Sequence, residues 1–168
     1  MVVEQGSKVI TDTARSLIGV EQEPAVVEVD KSALRKFARA IAWPDDPNPL
    51  YFDEQYASKS SFGGLIAAPT FCTSFPWLMG LLNLVNPSMG KYRVGLAGGN
   101  EYEMLEPVRP GDVLTAMPVL ASLQEKPRDD GGVMLVIVLQ ASFYNQSNVH
   151  VLTATQTLLR IYGPENLQ

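Results

Sequence analysis

The sequence predicts an α+β domain in which a long antiparallel sheet wraps around a central apolar helix, and three observations predict it. Residues 69 to 85, PTFCTSFPWLMGLLNLV, are almost wholly apolar over the length of a buried helix. From residue 91 onward, long runs rich in Val, Leu, Ile, Thr and Tyr alternate with clusters of Gly, Pro, Asn and Asp, the signature of strands joined by turns. Parallel neighbours would need crossovers of about a dozen residues or more, usually helical, and this half contains none, so its strands run antiparallel as a meander.

The 168 residues are 46% hydrophobic and 18% charged, a balance that fits one globular domain over 1–168 rather than a disordered or fibrous chain. A domain of that length buries roughly 70% of its unfolded surface and needs no metal or disulfide to hold its core. With one cysteine, Cys72, and one histidine, His150, internal disulfides and zinc clusters are excluded, and no metal site is expected. The 13 Lys and Arg against 18 Asp and Glu give a formal charge of −5, the wrong sign for a general binder of phosphate backbones. No nucleic-acid partner is expected. The opening residues MVVEQGSK lack the basic and apolar regions of a secretory signal, and no uncharged apolar segment of 18 residues is present. These features predict a soluble, cytoplasmic protein without a membrane span.

In chain order, Ile10, Ala14, Leu17 and Ile18 fall at helical spacing and stop at Gly19, so residues 7 to 19 are expected to form a short helix. Residues 25 to 29, AVVEV, are strand-like. Asp30 is placed to cap a helix from Lys31 to about Ala42, whose apolar face is Leu34, Phe37, Ala38 and Ile41. Trp43-Pro44 ends it, because the residue before a proline is pushed out of helical conformation. A polar loop, Asp45-Asp46-Pro47-Asn48-Pro49, follows, and Phe62-Gly63-Gly64 marks a later turn. In the apolar helix, Pro76 and Gly80 predict a kink or a broken first turn. Its sequence has few polar positions, so it requires a sheet or a partner around it.

That sheet is read from residues 91 to 105, with an irregularity at Gly98-Gly99, then 113 to 124, 133 to 144 and 149 to 162. His150, just after a turn, is expected to share a face with Leu152, Ala154, Gln156, Leu158, Arg160 and Tyr162. A helix followed by such a sheet is the arrangement of a hot-dog fold.

Several residues invite a chemical reading beside a structural one. Asp45 to Pro49 is an Asx-rich loop whose side chains would cap local backbone N–H groups. Gly63-Gly64 marks a turn. Phe71, Phe75, Trp77, Leu78, Leu81 and Leu82 read as core and interface, a surface that can also serve to bind an apolar ligand. Cys72 near a helix start has no histidine beside it and reads as a small buried thiol rather than a nucleophile. Asp53 and Glu54 are the carboxylates a thioesterase would need near the helix mouth, and equally ordinary capping residues.

Taken together, Asp46-Pro47-Asn48-Pro49-Leu50-Tyr51-Phe52-Asp53, then Phe62-Gly63-Gly64-Leu65-Ile66-Ala67-Ala68-Pro69-Thr70, then GGNEYEMLEPVRPGDVLTA resemble the MaoC-like hydratase/dehydratase family over about residues 7 to 162. That family carries an Asp-x-Asn-Pro-Leu-His motif on the loop before the central helix. Its Asp and His deliver and remove a water's proton, while a glycine N–H steadies the thioester oxygen. The resemblance implies Asp46 as the catalytic Asp, with Tyr51 where the His stands. It also implies Asn48, Gly63, Gly64, Pro69 and Thr70 as substrate contacts, Gly63 or Gly64 being the oxyanion donor. No cofactor is implied beyond the coenzyme A or acyl carrier protein that carries the acyl group.

A phenol with an ordinary pKa near 10 is a poor substitute for an imidazole. The pattern is therefore similar to the N-terminal-half, or MaoC-N, branch, in which one hot-dog unit has lost the catalytic pair and helps bind the acyl chain. The implied function is a subunit of an (R)-specific enoyl-thioester hydratase or 3-hydroxyacyl-thioester dehydratase, paired with a catalytic hot-dog subunit. The alternatives are a self-sufficient homodimeric lyase using Asp46, an acyl-CoA thioesterase using Asp53 or Glu54, and a non-catalytic acyl-thioester binding module. A homodimer or heterodimer is expected in each, because one sheet around one apolar helix leaves an open edge and apolar surface.

Overall fold

Five antiparallel strands form one sheet around a short helix in the computed structural model, which describes residues 9 to 167. The sheet order is β1-β3-β4-β5-β2, where β1 is Ala25–Glu28, β2 Val94–Met104, β3 Val113–Pro127, β4 Val133–Tyr144 and β5 His150–Tyr162. Strands β3, β4 and β5 form the expected meander, but β2 does not join it beside β3. It crosses to the far edge and pairs with β5, from Val94↔Ile161 to Met104↔Leu152. The connecting loop is tied there by the N–H groups of Leu105 and Glu106, both donating to the Val151 carbonyl.

One face of the sheet packs on the helix. In β4 the odd residues from Val133 to Phe143 are buried and the even ones half-buried, as the two-residue strand period requires. Leu114, Ala116 and Leu120 of β3 and Leu152, Ala154 and Leu158 of β5 complete that inner face. The opposing layer is not one helix over 69–85. It is a 3-10 segment, Pro69–Ser74, an extended break at Phe75-Pro76, and a helix of eight residues, α5, Leu78–Val85. Pro76 has no N–H for the helical ladder and forces Phe75 into extended backbone, which accounts for the break. Leu81 and Val85 of α5 are buried against the sheet, whereas Met79 and Leu84 on its other side are exposed.

The N-terminal helix is shorter than its pattern. α1 covers Asp12–Ser16, capped by Thr11 Oγ1 accepting from the Ala14 N–H, and the expected residues 7 and 8 lie outside the described part. α2 spans Lys31–Ala42 with Asp30 as its cap, as expected. Its apolar stripe is covered only over the first two turns: Leu34 and Ala38 are buried, while Ile41 is 53% exposed. Two short helices that the polar composition concealed follow. α3, Pro49–Phe52, is capped by Asn48, and α4, Glu54–Ser58, is capped by Asp53. The whole is the α+β hot-dog arrangement. Among the described residues no helix is long and apolar enough to cross a membrane, and no cluster of three metal-ligating side chains occurs.

Candidate functional site

The two motif segments meet. The chain from Leu65 to Ala68 is buried and runs between α3 and the 105–112 loop, with the Ile66 N–H donating to the Leu50 carbonyl at 3.3 Å and the Ala67 N–H to the Val108 carbonyl at 2.8 Å. This brings the Asp46–Phe52 loop, the Gly63-Gly64 turn and the start of the 3-10 segment to one side of the core.

Within that frame the predicted residues separate by role. Asp46 is exposed, and among the described residues no hydrogen bond or ion pair reaches its carboxylate. Asn48 Oδ1 accepts the Leu50 N–H at 3.0 Å, so its side chain builds the α3 turn. Tyr51 is half-buried and its ring packs against the core cluster. Gly63 has a positive φ of 67°, which only glycine adopts readily, and its N–H is spent on the Ser60 carbonyl. Gly64 is free of that turn bond, which leaves it the better placed of the two glycines to offer a backbone donor. Pro69 and Thr70 open the 3-10 segment, where their carbonyls accept from Cys72 Sγ and Thr73 Oγ1.

A residue that the sequence reading passed over lies beside Gly64. A methyl group on Gly64 would sit 3.9 Å from Nη1 of Arg109, so a guanidinium accompanies the candidate oxyanion donor. Arg109 is held there by its loop: its own N–H donates to Asp112 Oδ2 at 2.7 Å, and Gly111 turns the chain with φ 87°. The buried carboxylate of Asp112 also accepts from Gln146 Nε2. The signal in the sequence was an Arg-Pro-Gly-Asp turn, which composition alone presents as ordinary loop.

The remaining titratable groups are structural. His150 does not share the inner face with Leu152. A β-bulge at Val151 shifts the register so that His150 pairs with Tyr144 on the outer face, stacked on its ring at 4.9 Å with Nε2 beside Leu152 O and Thr153 Oγ1. Burial pushes the Cys72 thiol up to about 11, so it is a protonated core side chain. Burial, with Cys72 nearby, also raises the phenol of Tyr102 above its ordinary value. Asp53 Oδ1 accepts the N–H groups of Gln55 and Tyr56, and Glu54 pairs with Lys31 and Arg35. Each carboxylate thereby has one oxygen engaged, Asp53 in capping and Glu54 in surface pairing.

Two surfaces bear on a ligand. Phe37, Phe71 and Phe75 stand edge to face, 5.4 and 5.7 Å apart, and Phe75 reaches Phe143 of β4 at 5.6 Å. With Val27, Ala33 and Ala40, the rings of Phe37, Phe71 and Phe75 line an open, mainly apolar cavity of about 540 Å³ between α2, β1 and the 3-10 segment, bordered also by Glu28, Lys36 and Ser74. Strand β2, by contrast, has no partner on its outer edge among the described residues and is exposed along nearly its whole length.

Residues 16–154 match the family model described as the FAS1-like, dehydratase domain region. A UPF0336 protein of Parafrankia sp. (strain EAN1pec) is 31% identical over 134 residues, covering 79% of this chain and 83% of that protein. The MaoC-like dehydratase from Rhodospirillum rubrum superposes with a TM-score of 0.61 at 24% identity, covering 88% of this chain and 94% of the other. The C-terminally truncated HadBC (3R-hydroxyacyl-ACP dehydratase) complex from Mycobacterium tuberculosis gives a TM-score of 0.65 at 24% identity, covering 90% and 99%.

Proposed function

Because the chain belongs to the family of FAS1-like dehydratase domain regions, we propose that it is one hot-dog subunit of an (R)-specific enoyl-thioester hydratase or 3-hydroxyacyl-thioester dehydratase. In this reading it shapes the acyl pocket while a second hot-dog subunit supplies the catalytic carboxylate and imidazole. The observation that carries the division of labour is the pair Tyr51 and His150. A half-buried phenol occupies the imidazole's place in the motif, and the chain's one histidine is committed to an outer-face bulge. Without a group that titrates near neutrality at the reacting carbon, proton transfer is slow.

Three further features support the acyl-binding half of the reading. The break at Pro76 shortens the central helix, and Phe71 and Phe75 on the side of the break line the aromatic cavity. Gly64 and Arg109 together present a donor and a positive charge suited to a thioester oxygen. The open β2 edge and the exposed side of α5 suit a covering second subunit, and the HadBC neighbour is itself a complex.

The test is hydration of a panel of enoyl thioesters by the purified chain, alone and mixed with a hot-dog protein that carries the Asp and His. Activity only in the mixture is expected. Full turnover by the chain alone would replace this reading with the second one, a self-sufficient lyase, which the exposed and unpaired carboxylate of Asp46 favours.

A further inference from the structure

A groove lined by basic side chains lies on the flank of α2 away from the aromatic cavity. Helical geometry sets Lys31, Arg35 and Arg39 at i, i+4 and i+8, one above the other. With Asp30, Ser32, Lys36 and Phe52 they line an open groove of about 550 Å³, the size of a small-molecule site. Such a concentration of positive charge on a chain whose formal charge is −5 does not follow from composition.

We propose that this groove receives the phosphate end of a phosphopantetheine thioester. Two of its guanidinium groups are already positioned. Arg35 Nε donates to the Phe52 carbonyl at 3.0 Å, and the Arg35 and Arg39 guanidiniums stand 5.3 and 4.6 Å from the Phe52 ring centre. A guanidinium held against a ring loses less freedom when it binds an anion, and its planar fork suits phosphate oxygens. The groove also has charge to spare. Glu54 engages Lys31 and Arg35 at 3.2 and 3.5 Å, while among the described residues no ion pair reaches Lys36 or Arg39.

Placement identifies the ligand. Phe52, which lines the groove, follows Tyr51 in α3, and Lys36 lines both this groove and the aromatic cavity. A molecule with an apolar tail, a flexible arm and a terminal phosphate matches a cationic groove and an apolar cavity set on two flanks of one helix. An acyl thioester of pantetheine 4′-phosphate has that form, whether its phosphate leads to a nucleotide or to a carrier protein. The inference rests on the acyl-thioester reading above and concerns the end of the substrate which that reading leaves open.

Calorimetric titration of the full chain with pantetheine, pantetheine 4′-phosphate and coenzyme A tests it. The phosphorylated compounds are expected to bind about tenfold or more tightly than pantetheine, an advantage that falls as salt rises. The double variant Lys36→Gln/Arg39→Gln should lose about tenfold in affinity for the phosphate, and Glu54→Gln, which frees Lys31 and Arg35, should gain. Equal binding of pantetheine and its phosphate overturns the proposal, and needs no variant to detect. So does wild-type affinity in the double variant. Tighter binding of coenzyme A than of pantetheine phosphate supports the groove and assigns the nucleotide as its source. Binding of a holo acyl carrier protein that depends on Lys36 and Arg39, with no added affinity for coenzyme A, supports the groove and assigns the protein. Phosphate-dependent binding without hydration in any pairing removes the hydratase reading and leaves the groove. Hydration with phosphate-independent binding removes the groove alone.

Discussion

At the scale of single residues, chemistry turns on which side chains are already committed to the fold. Among the described residues Asp46 carries no hydrogen bond or ion pair, whereas Asn48, Asp53 and Glu54 each have one side-chain oxygen engaged in a cap or a surface pair. If a partner performs the proton transfers, Asp46→Asn leaves the turnover of the mixed complex within about twofold of wild type, since a carboxylate that takes no part in those transfers contributes little to the transition state. If this chain is itself the lyase, Asp46→Asn and Tyr51→Phe each abolish turnover, and steady-state assays of both variants decide. Cys72 and Tyr162 set the alkaline limit. Burial pushes them up to about 11 and about 12 from ordinary values of 9.0 and 10.0, so the folded state keeps protons that the unfolded chain has released. Their contribution to stability is full below about pH 9 and declines as pH rises through the folded values. Urea midpoints at pH 8, 10 and 11 should fall in that order, and Cys72 should react with a disulfide reagent at pH 8 only when the chain unfolds.

At the scale of elements, short caps decide how the site is shaped. α3 has four residues and no buried side chain, so the Asn48 cap is a large share of what holds it. Asn48→Ala is expected to cost about 1 kcal/mol in chemical denaturation, and Asn48→Asp, which keeps the acceptor, to cost little. α5 is held instead by packing. Leu81 is 1% exposed between the helix and the sheet, and Leu81→Ala is expected to cost about 2–5 kcal/mol through lost transfer energy and the cavity left behind. Much of this level was legible in the chain. The Asp30 cap, α2, the long strands β3 to β5 and the break at Pro76 all follow from residue type and period. The helices α3 and α4 did not, because a single turn has too few residues to show a period, and only the capping bonds of Asn48 and Asp53 reveal them.

At the scale of the whole molecule, two apolar surfaces are left open. Among the described residues β2, bearing Val94, Leu96 and Met104, has no partner on its outer edge, and Leu96 is 49% exposed; Met79 on the outer side of α5 is 62% exposed. Apolar side chains beside an open strand favour association with another sheet, by edge pairing and burial together. The double variant Leu96→Lys/Met79→Lys is expected to shift the assembly to a monomer in light scattering, with an unchanged circular dichroism spectrum because neither side chain is in the core. Retention of the wild-type mass would place the covering subunit elsewhere.

The chain alone determined the class of fold and the apolar segment with its interruption at Pro76. These are statements about residue type and spacing, and backbone geometry translates spacing into faces directly. Only tertiary structure decided that β2 lies beside β5, that a bulge at Val151 turns His150 outward, that Arg109 meets Gly64, and that a cationic stripe on α2 closes over Phe52. Each of these joins residues far apart in sequence or depends on one slipped register, and local periodicity carries no information about either.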